Sequence, residues 1–177
     1  MSDLPLHLVI ALSEVGYRET PRNKTPFTAR YDAHGDYSYQ GQAWCAIFAC
    51  DCLERAGITL PVMQYGNYPR AASVQYLMDG CKAQGWFKAT PEVGDLVFFD
   101  HHVGFVLRVE GELIISVEGN TTGPTSTTEW VWVHGHNIAD CLGFASVPMP
   151  AKMKEGKDDE GISGSGIDGS GDCLRTG

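Results

Sequence analysis

Apolar residues recur at helical spacing in three stretches of the first half of the chain. The clearest stretch has apolar side chains at positions i, i+3, i+4, i+7, i+8 and i+11, which are Cys45, Phe48, Ala49, Cys52, Leu53 and Ala56. This spacing predicts an amphipathic helix that ends at Gly57. A similar period predicts a helix that Pro5 enters in its first turn and Gly16 ends, and another over about 71–83. Residues 17–43 show no helical period, so we predict a long irregular segment there.

After Pro91 the period of the apolar positions falls to two. Five runs separated by turn residues predict the strands of an antiparallel sheet, namely DLVFF, HVGFVLRV, ELIISVEG, TTEWVWVH and LGFASV. Helices followed by strands are typical of an α+β fold. From Ala151 onward Gly and Ser replace large apolar side chains. We therefore predict one domain over residues 1–150 and a flexible tail or linker over residues 151–177.

Charge and composition narrow the class of protein. A chain of 177 residues is long enough for one domain with a sizeable core. Thirteen Lys and Arg against 22 Asp and Glu give a net charge of −9, the wrong sign for holding nucleic acid or anionic lipid. The first residues have the features of neither a signal peptide nor a membrane span. We expect a monomer that is made in the cytoplasm and has no nucleic-acid or membrane partner.

The six cysteines are unevenly spread in a chain that can fold without disulfides, which indicates free thiols. Cys45 lies in the first turn of its predicted helix, where unpaired amides and the helix dipole favour a thiolate and lower the pKa of a thiol. Its other interpretation is a small core residue. We assign only that interpretation to Cys50, Cys52, Cys81 and Cys141, which lie among apolar neighbours.

A histidine opens the second predicted strand. A hairpin with its turn at residues 110–111 brings His102 opposite Glu118 or Gly119, so that an acid faces the imidazole. Asn120 shares one strand face with Glu118, and this polar face is either a solvated edge or the lip of a site. A thiol, a later histidine and then an acid or amide form a nucleophile, a base and an orienting group in the chain order of papain-like enzymes.

Three runs of the sequence, QAWCAIFACDCLERAG, PEVGDLVFFDHHVGFVLRV and IISVEGN, closely resemble the CHAP family of peptidoglycan amidases and endopeptidases. The usual pattern of that family is an aromatic-Cys helix, a GD-hydrophobic strand, an HVG histidine and an E-x-N end. The resemblance covers about residues 4–147. It implies a papain-like α+β fold with N-terminal helices packed on a sheet of about five strands. It also implies hydrolysis of an amide bond in bacterial peptidoglycan by the catalytic set Cys45, His102, Glu118 and Asn120.

The resemblance also implies a mechanism. The thiolate attacks the carbonyl carbon, and the imidazole protonates the leaving amine and then activates water against the thioester. Either Glu118 or Asn120 holds the imidazole ring, and both stay open. The backbone amide of the cysteine stabilises the oxyanion, with Gln40 or Gln42 as the second donor. Three aromatic residues are candidates for the substrate cleft, although the core is the commoner place for the tryptophan: Trp44, Tyr65 and Tyr68.

Metal binding is the less favoured interpretation of the remaining motifs. Some CHAP relatives hold calcium in an acidic loop before the cysteine, and Asp32 and Asp36 occupy such a loop here. Calcium needs six to eight oxygen ligands, whereas two acids beside a glycine are typical of an ordinary turn. His134 and His136 have no acid or cysteine at zinc-site spacing, so we predict a loop for them, and a solvent or structural role for His101. We predict an enzyme that needs no metal or other cofactor.

Two rival functions use the same residues. A papain-like cysteine protease, deamidase or transferase would act on a protein instead of the cell wall. A binding module with a relic site would have lost its nucleophile, and Cys45 is still present. Family members are often phage lysins, and the absence of a signal peptide fits delivery of that kind.

Overall fold

Four α-helices precede one six-stranded antiparallel sheet in residues 4–20, 23–63, 68–125 and 127–148, the part of the chain that the structure, a computed structural model, describes. The helices are α1 (Leu6–Ser13), α2 (Pro26–Asp32), α3 (Cys45–Arg55) and α4 (Val74–Ala83). The strands are β1 (Phe87–Lys88), β2 (Leu96–Phe99), β3 (His102–Glu110), β4 (Leu113–Thr122), β5 (Glu129–Asn137) and β6 (Gly143–Ala145). Short 3₁₀ helices lie at Pro61–Met63, Tyr68–Ala72 and Ile138–Asp140.

The predicted α+β fold is confirmed, with N-terminal helices and C-terminal strands. The sheet has the order β1-β6-β2-β3-β4-β5, so β3 and β4 are interior strands. It has six strands rather than about five because the two-residue β1 pairs with β6. No helix in the described ranges is both long and apolar enough to cross a bilayer. The predicted tail over residues 151–177 lies outside the described residues.

The prediction of an irregular segment over residues 17–43 is wrong for α2. Thr25 caps this helix, because its hydroxyl oxygen accepts a hydrogen bond from the Thr28 N–H at 3.0 Å. A proline occupies the first helical position. The buried Phe27 and Tyr31 hold the helix against the core. Seven residues are too few for a helical period to stand out in the sequence, so tertiary packing decides the conformation here.

Helix α3 lies at the centre of the core. It begins at Cys45 as predicted, and Gly57 follows it with a φ of +76°, a left-handed conformation that favours glycine. The helix contains a buried carboxylate, Asp51, which is held by both Nε and Nη2 of Arg30 at 2.6 and 2.9 Å. Arg55 reaches the same carboxylate at 3.3 Å. Since an unpaired buried charge is costly, this network fixes α3 against α2.

The predicted register of the β3–β4 hairpin is wrong by one to two residues. The turn lies at residues 111–112, and a β-bulge interrupts the pairing between Val106 and Arg108. Glu118 is therefore opposite Gly104, not His102. The pairing next to the turn is shifted from the prediction by two to three residues, and the bulge, which an apolar pattern does not reveal, takes back one of them.

Gly119 is where β4 lies directly against α3. A Cβ at this position would lie 2.6 Å from Cγ of Phe48 and 2.7 Å from Cζ3 of Trp44, closer than van der Waals contact permits. The absence of a side chain thus sets the separation of α3 and β4.

We predict that Gly119→Ala destabilises the protein by about 1–3 kcal/mol, because the added methyl group overpacks the interface between α3 and β4. Gly135→Ala on β5 is the matched control, since a Cβ there would lie 3.5 Å from Ile115, an ordinary contact. Thermal unfolding of both variants checks the prediction. Equal melting temperatures for the two variants would contradict it.

Candidate active site

The start of α3 presents backbone donors beside the Cys45 thiol. Trp44 precedes the helix without a side-chain cap, and the first intrahelical bond runs from the Phe48 N–H to the Trp44 carbonyl at 2.8 Å. Helix geometry leaves the N–H of Cys45 without an intrahelical acceptor. Such an N–H can donate a hydrogen bond to a negatively charged oxygen that forms next to the thiol.

His102 lies between Cys45 and Glu118. Its Nε2 donates to Oε2 of Glu118 at 2.9 Å, and Cys45 is near enough to contribute to the raised pKa of the ring. Because Nε2 is used by the carboxylate, Nδ1 is the nitrogen left for the thiol. The site thus groups a thiol, an imidazole and a carboxylate that is hydrogen-bonded to the imidazole.

The Glu118 carboxylate is almost completely buried and is surrounded by donors. Oε1 accepts from His136 Nε2 at 2.7 Å and from the Ser116 hydroxyl, while Oε2 also accepts from the Thr121 hydroxyl at 3.2 Å. A Cβ on Gly104 would lie 2.6 Å from Cγ of Glu118. Glycine at position 104 therefore makes room for the carboxylate beside the imidazole.

This arrangement shifts the pKa of both charged partners. Burial raises the pKa of Glu118, but hydrogen bonds from His102, His136 and Ser116 outweigh burial and hold it well below its usual range. Burial lowers the pKa of His102, but hydrogen bonds to Cys45 and Glu118 and the charges of both outweigh burial and raise it to about 9. At neutral pH the pair is therefore an imidazolium on a carboxylate.

Asn120 does not contact His102 but ties β4 to the start of α3. Its Oδ1 accepts the Trp44 N–H at 3.1 Å. Its φ is +56°, in the left-handed region that asparagine adopts more readily than most residues, and β4 shifts register against β5 between Glu118 and Thr121. Of the two residues proposed to orient the imidazole, Glu118 is the one in contact with it.

A cleft of about 470 Å³ opens beside the start of α3. Residues from the segments before α3 and α4 line it, among them Tyr37, Tyr39, Gln42, Ala43, Arg70 and Ser73. Gln42 is exposed at this cleft, whereas the Gln40 side chain is half-buried and donates to the Thr25 carbonyl at 3.3 Å. Of the two glutamines, Gln42 is the one with access to a bound substrate.

The expectation that Trp44 lines the cleft is wrong. Its side chain is fully buried, stacks on Phe27 with ring centroids 5.5 Å apart, and donates from Nε1 to Glu19 at 3.1 Å. Tyr65 and the Tyr68 side chain lie outside the described residues.

In the acidic loop before α3, the Asp32 carboxylate accepts hydrogen bonds from within the loop. Oδ1 of Asp32 accepts the Tyr39 N–H at 2.8 Å and Oδ2 accepts the Ser38 hydroxyl at 2.9 Å, so this carboxylate closes the loop, while Asp36 is exposed. In the part of the chain that the structure describes, no group of three or more His, Cys, Asp or Glu side chains is placed to hold a metal ion. That the protein needs no cofactor stays a prediction.

Sequence reasoning missed His136 and Ser116. The prediction of a loop for His134 and His136 is wrong, because both lie in β5. His134 is the last residue of the alternating run TTEWVWVH, so the signal for a strand reached His134 but not His136. Strand pairing alone does not place His136 next to Glu118, because the residue of β4 that lies opposite His136 is Ile114. His101 is exposed in the turn before β3, with a φ of +59°.

The other described cysteines differ from Cys45 in their surroundings. Cys50, Cys52 and Cys81 are buried, and burial raises the pKa of each thiol, to about 12 for Cys81. Cys141 is half-buried and has its pKa raised to about 11 by burial and by the charges of nearby carboxylates. None of these four thiols touches the His102 and Glu118 pair by a described hydrogen bond.

Residues 37–120 match the family model of the CHAP domain. The resemblance to this family is confirmed over the matched range, which is shorter than 4–147 but includes the residues from Cys45 to Asn120. CHAP domains are in general hydrolases of the amidase or peptidase type that act on peptidoglycan. No curated protein and no solved structure matched the chain.

We predict that Glu118→Gln lowers the pKa of His102 from about 9 toward its ordinary value, because it removes the charge that stabilises the imidazolium. A group with a raised folded pKa contributes stability that is complete below its unfolded pKa of 6.5 and is lost as the pH rises through about 9. Between pH 6.5 and about 9, Glu118→Gln should therefore lose less stability than the wild type. NMR titration of His102 and unfolding at several pH values measure both effects. Glu112→Gln, in the exposed hairpin turn, is the control, and an unchanged His102 titration in Glu118→Gln would contradict the prediction.

Proposed function

We propose that this CHAP-domain protein hydrolyses an amide bond of bacterial peptidoglycan through a thioester on Cys45. The bond is either the N-acetylmuramoyl-L-alanine amide or a peptide bond of the stem or cross-bridge. The observation that carries the proposal is the hydrogen bond from His102 to Glu118 beside Cys45, at the uncapped start of a helix. A nucleophile, a base and an orienting group in mutual contact are what acyl transfer needs.

The first half-reaction makes the thioester. The reaction starts with the proton of the Cys45 thiol already on His102, and the sulfur attacks the substrate carbonyl carbon as the thiolate. The resulting tetrahedral oxyanion accepts the Cys45 backbone N–H, with the Gln42 amide as the second donor. The imidazolium then protonates the leaving amine as the C–N bond breaks.

The second half-reaction restores the enzyme. His102 takes a proton from water, whose oxygen attacks the thioester carbon, and the C–S bond breaks. The new carboxylic acid leaves, and the proton taken from water stays on His102, so that the imidazolium and the thiolate of the starting state are restored. One amide and one water are consumed, and one acid and one amine are formed.

Glu118 and Asn120 have different roles in this proposal. Glu118 holds the His102 ring with Nε2 protonated, so that Nδ1 remains the catalytic nitrogen, and it stabilises the imidazolium. Asn120 positions the nucleophile, because it joins β4 to the residue before Cys45.

The cleft that contains Gln42 and Arg70 is the proposed substrate site. The chain carries a net charge of −9, so we propose that an anionic wall is recognised by shape and hydrogen bonding rather than by overall charge. The segments that line the cleft connect helices, which is where binding residues are commonly placed.

The test is digestion of purified peptidoglycan followed by mass spectrometry of the released fragments. We expect fragments with one new amine and one new carboxyl group, which also identifies the bond. Release of amines from a protein substrate while purified walls stay intact would favour a cysteine protease, deamidase or transferase and contradict the proposal.

We predict that Cys45→Ala abolishes this hydrolysis and leaves the fold intact, because it removes the nucleophile but deletes only one sulfur atom. Cys52→Ala, in the same helix, is the matched control and should stay active. The measurement is fragment release by each variant at equal protein concentration.

The histidines provide a second pair of variants. His102→Ala should be as damaging as Cys45→Ala, since residues that act as one unit show non-additive losses. The exposed His101→Ala should keep most of the activity.

An inactive Cys52→Ala beside an active Cys45→Ala would overturn the assignment of the nucleophile.

We predict that wall hydrolysis survives exhaustive chelation, since the Asp32 carboxylate already accepts hydrogen bonds from Ser38 and Tyr39. The assay is clearing of a wall suspension after chelation, with and without added calcium. Activity that is lost to the chelator and recovered with calcium alone would contradict the prediction and make Asp32 and Asp36 ligands.

A further inference from the structure

We propose that His136 is a second positioning residue, which holds Glu118 from the side opposite His102 and acts on Cys45 through these two residues. The inference rests on the proposed function, since the reaction that His136 would serve is the thioester reaction. It goes beyond the CHAP match, because His136 lies after the matched range 37–120.

The two oxygens of Glu118 are divided between two imidazoles. Oε2 accepts from His102 at 2.9 Å and Oε1 accepts from His136 at 2.7 Å. An ionised carboxylate only accepts hydrogen bonds, so Nε2 of both rings carries a hydrogen. His136 therefore decides which carboxylate oxygen is left for His102, and in which direction it points.

The surroundings of this carboxylate leave it few other ways to be held. The Glu118 side chain is 2% exposed, and Phe99 packs against both imidazoles, with ring centroids 4.5 Å from His136 and 6.0 Å from His102. Ser116 also donates to Oε1, but from the same strand. His136 is the donor that reaches Oε1 from β5 and so links β5 to the proposed catalytic strands.

Loss of the His136 donor should loosen Glu118. The carboxylate would then turn toward its remaining donors, Ser116 and Thr121, and the hydrogen bond to His102 would weaken. Because Nδ1 of His102 must stay aimed at the thiol, a looser ring lowers the rate of proton transfer. Substrate binding should not change, since His136 does not line the cleft beside α3.

His134 is a matched control for His136. The two histidines lie two residues apart on β5, and their ring centroids are 6.1 Å apart. His134 donates from Nε2 to the Thr122 carbonyl at 2.8 Å instead of to Glu118. Substitution of His134 therefore removes a histidine from the same strand without touching the carboxylate.

The experiment compares His136→Ala, His136→Gln and His134→Gln in the full chain. Kinetics on soluble wall fragments should show kcat reduced about tenfold in His136→Ala, which is a usual loss when a residue that holds a reacting group is removed. KM should stay within about twofold of the wild-type value. His136→Gln should recover most of kcat, because its amide N–H can reach Oε1. His134→Gln should match the wild type.

A double variant shows whether His136 acts through Glu118. In a Glu118→Gln background His136→Ala should cause no further loss, since two residues in one chain of contacts are not additive. An equal loss in both backgrounds would overturn the proposal. So would a His136→Ala variant as active as His134→Gln, or a folded His136→Gln variant no more active than His136→Ala.

Alkylation of Cys45 separates this proposal from the proposed function. The rate of iodoacetamide addition to Cys45, followed by peptide mass spectrometry, needs no cell-wall substrate. We expect slower alkylation in His136→Ala than in His134→Gln, even if the wild type does not cut walls, and equal rates would overturn the proposal. Should His136→Ala fail to fold, His136→Asn takes its place, because its shorter amide does not reach Oε1 and should show the same losses.

Discussion

The contact between the start of α3 and residues 118–120 of β4 is the constraint on which the site depends. Gly119 lets Phe48 and Trp44 lie directly on the strand, and Asn120 accepts the Trp44 N–H. Glu118, which precedes them, accepts a hydrogen bond from the imidazole whose pKa the nearby Cys45 helps to raise. One tripeptide therefore sets the position of the helix and of the histidine together. The separation of thiol and imidazole then depends on rigid elements rather than on a loop.

The electrostatics of the site follow from where two buried carboxylates are placed relative to α3. Asp51, near the end of the helix, is neutralised by Arg30 and Arg55 and anchors the helix mechanically. Among the residues that the structure describes, Glu118, at the start of the helix, accepts hydrogen bonds from histidines and hydroxyl groups. A histidine can give up a proton during a reaction whereas arginine stays charged, so Glu118 rather than Asp51 holds a group that can move protons.

The helical and strand periods of the sequence were enough to predict the α+β fold, the start of α3 at Cys45 and the strand that His102 opens. What they could not predict is how the side chains meet. The later turn and the bulge after Val106 together place Glu118 opposite Gly104. Glu118 reaches His102 because residues 102 and 104 share a strand face and position 104 has no side chain. The choice between Glu118 and Asn120 depended on the left-handed backbone at Asn120, which turns its amide toward Trp44. His136 was missed because its ladder partner is Ile114, and its contact with Glu118 is made by side-chain reach alone.

Chemistry and recognition are placed on different kinds of structure. The thiol lies on the central helix and the imidazole and carboxylate on β3 and β4, which have a neighbouring strand on both sides. The cleft is lined instead by the connecting segments before α3 and α4, which contain Gln42 and Arg70. Substitutions in a connecting segment can alter the shape and charge of a cleft at little cost to core packing, whereas substitutions at Gly104 or Gly119 cannot be absorbed. In the proposed function, the choice of the bond to be cut therefore belongs to the connecting segments, and the catalytic groups belong to the helix and the sheet.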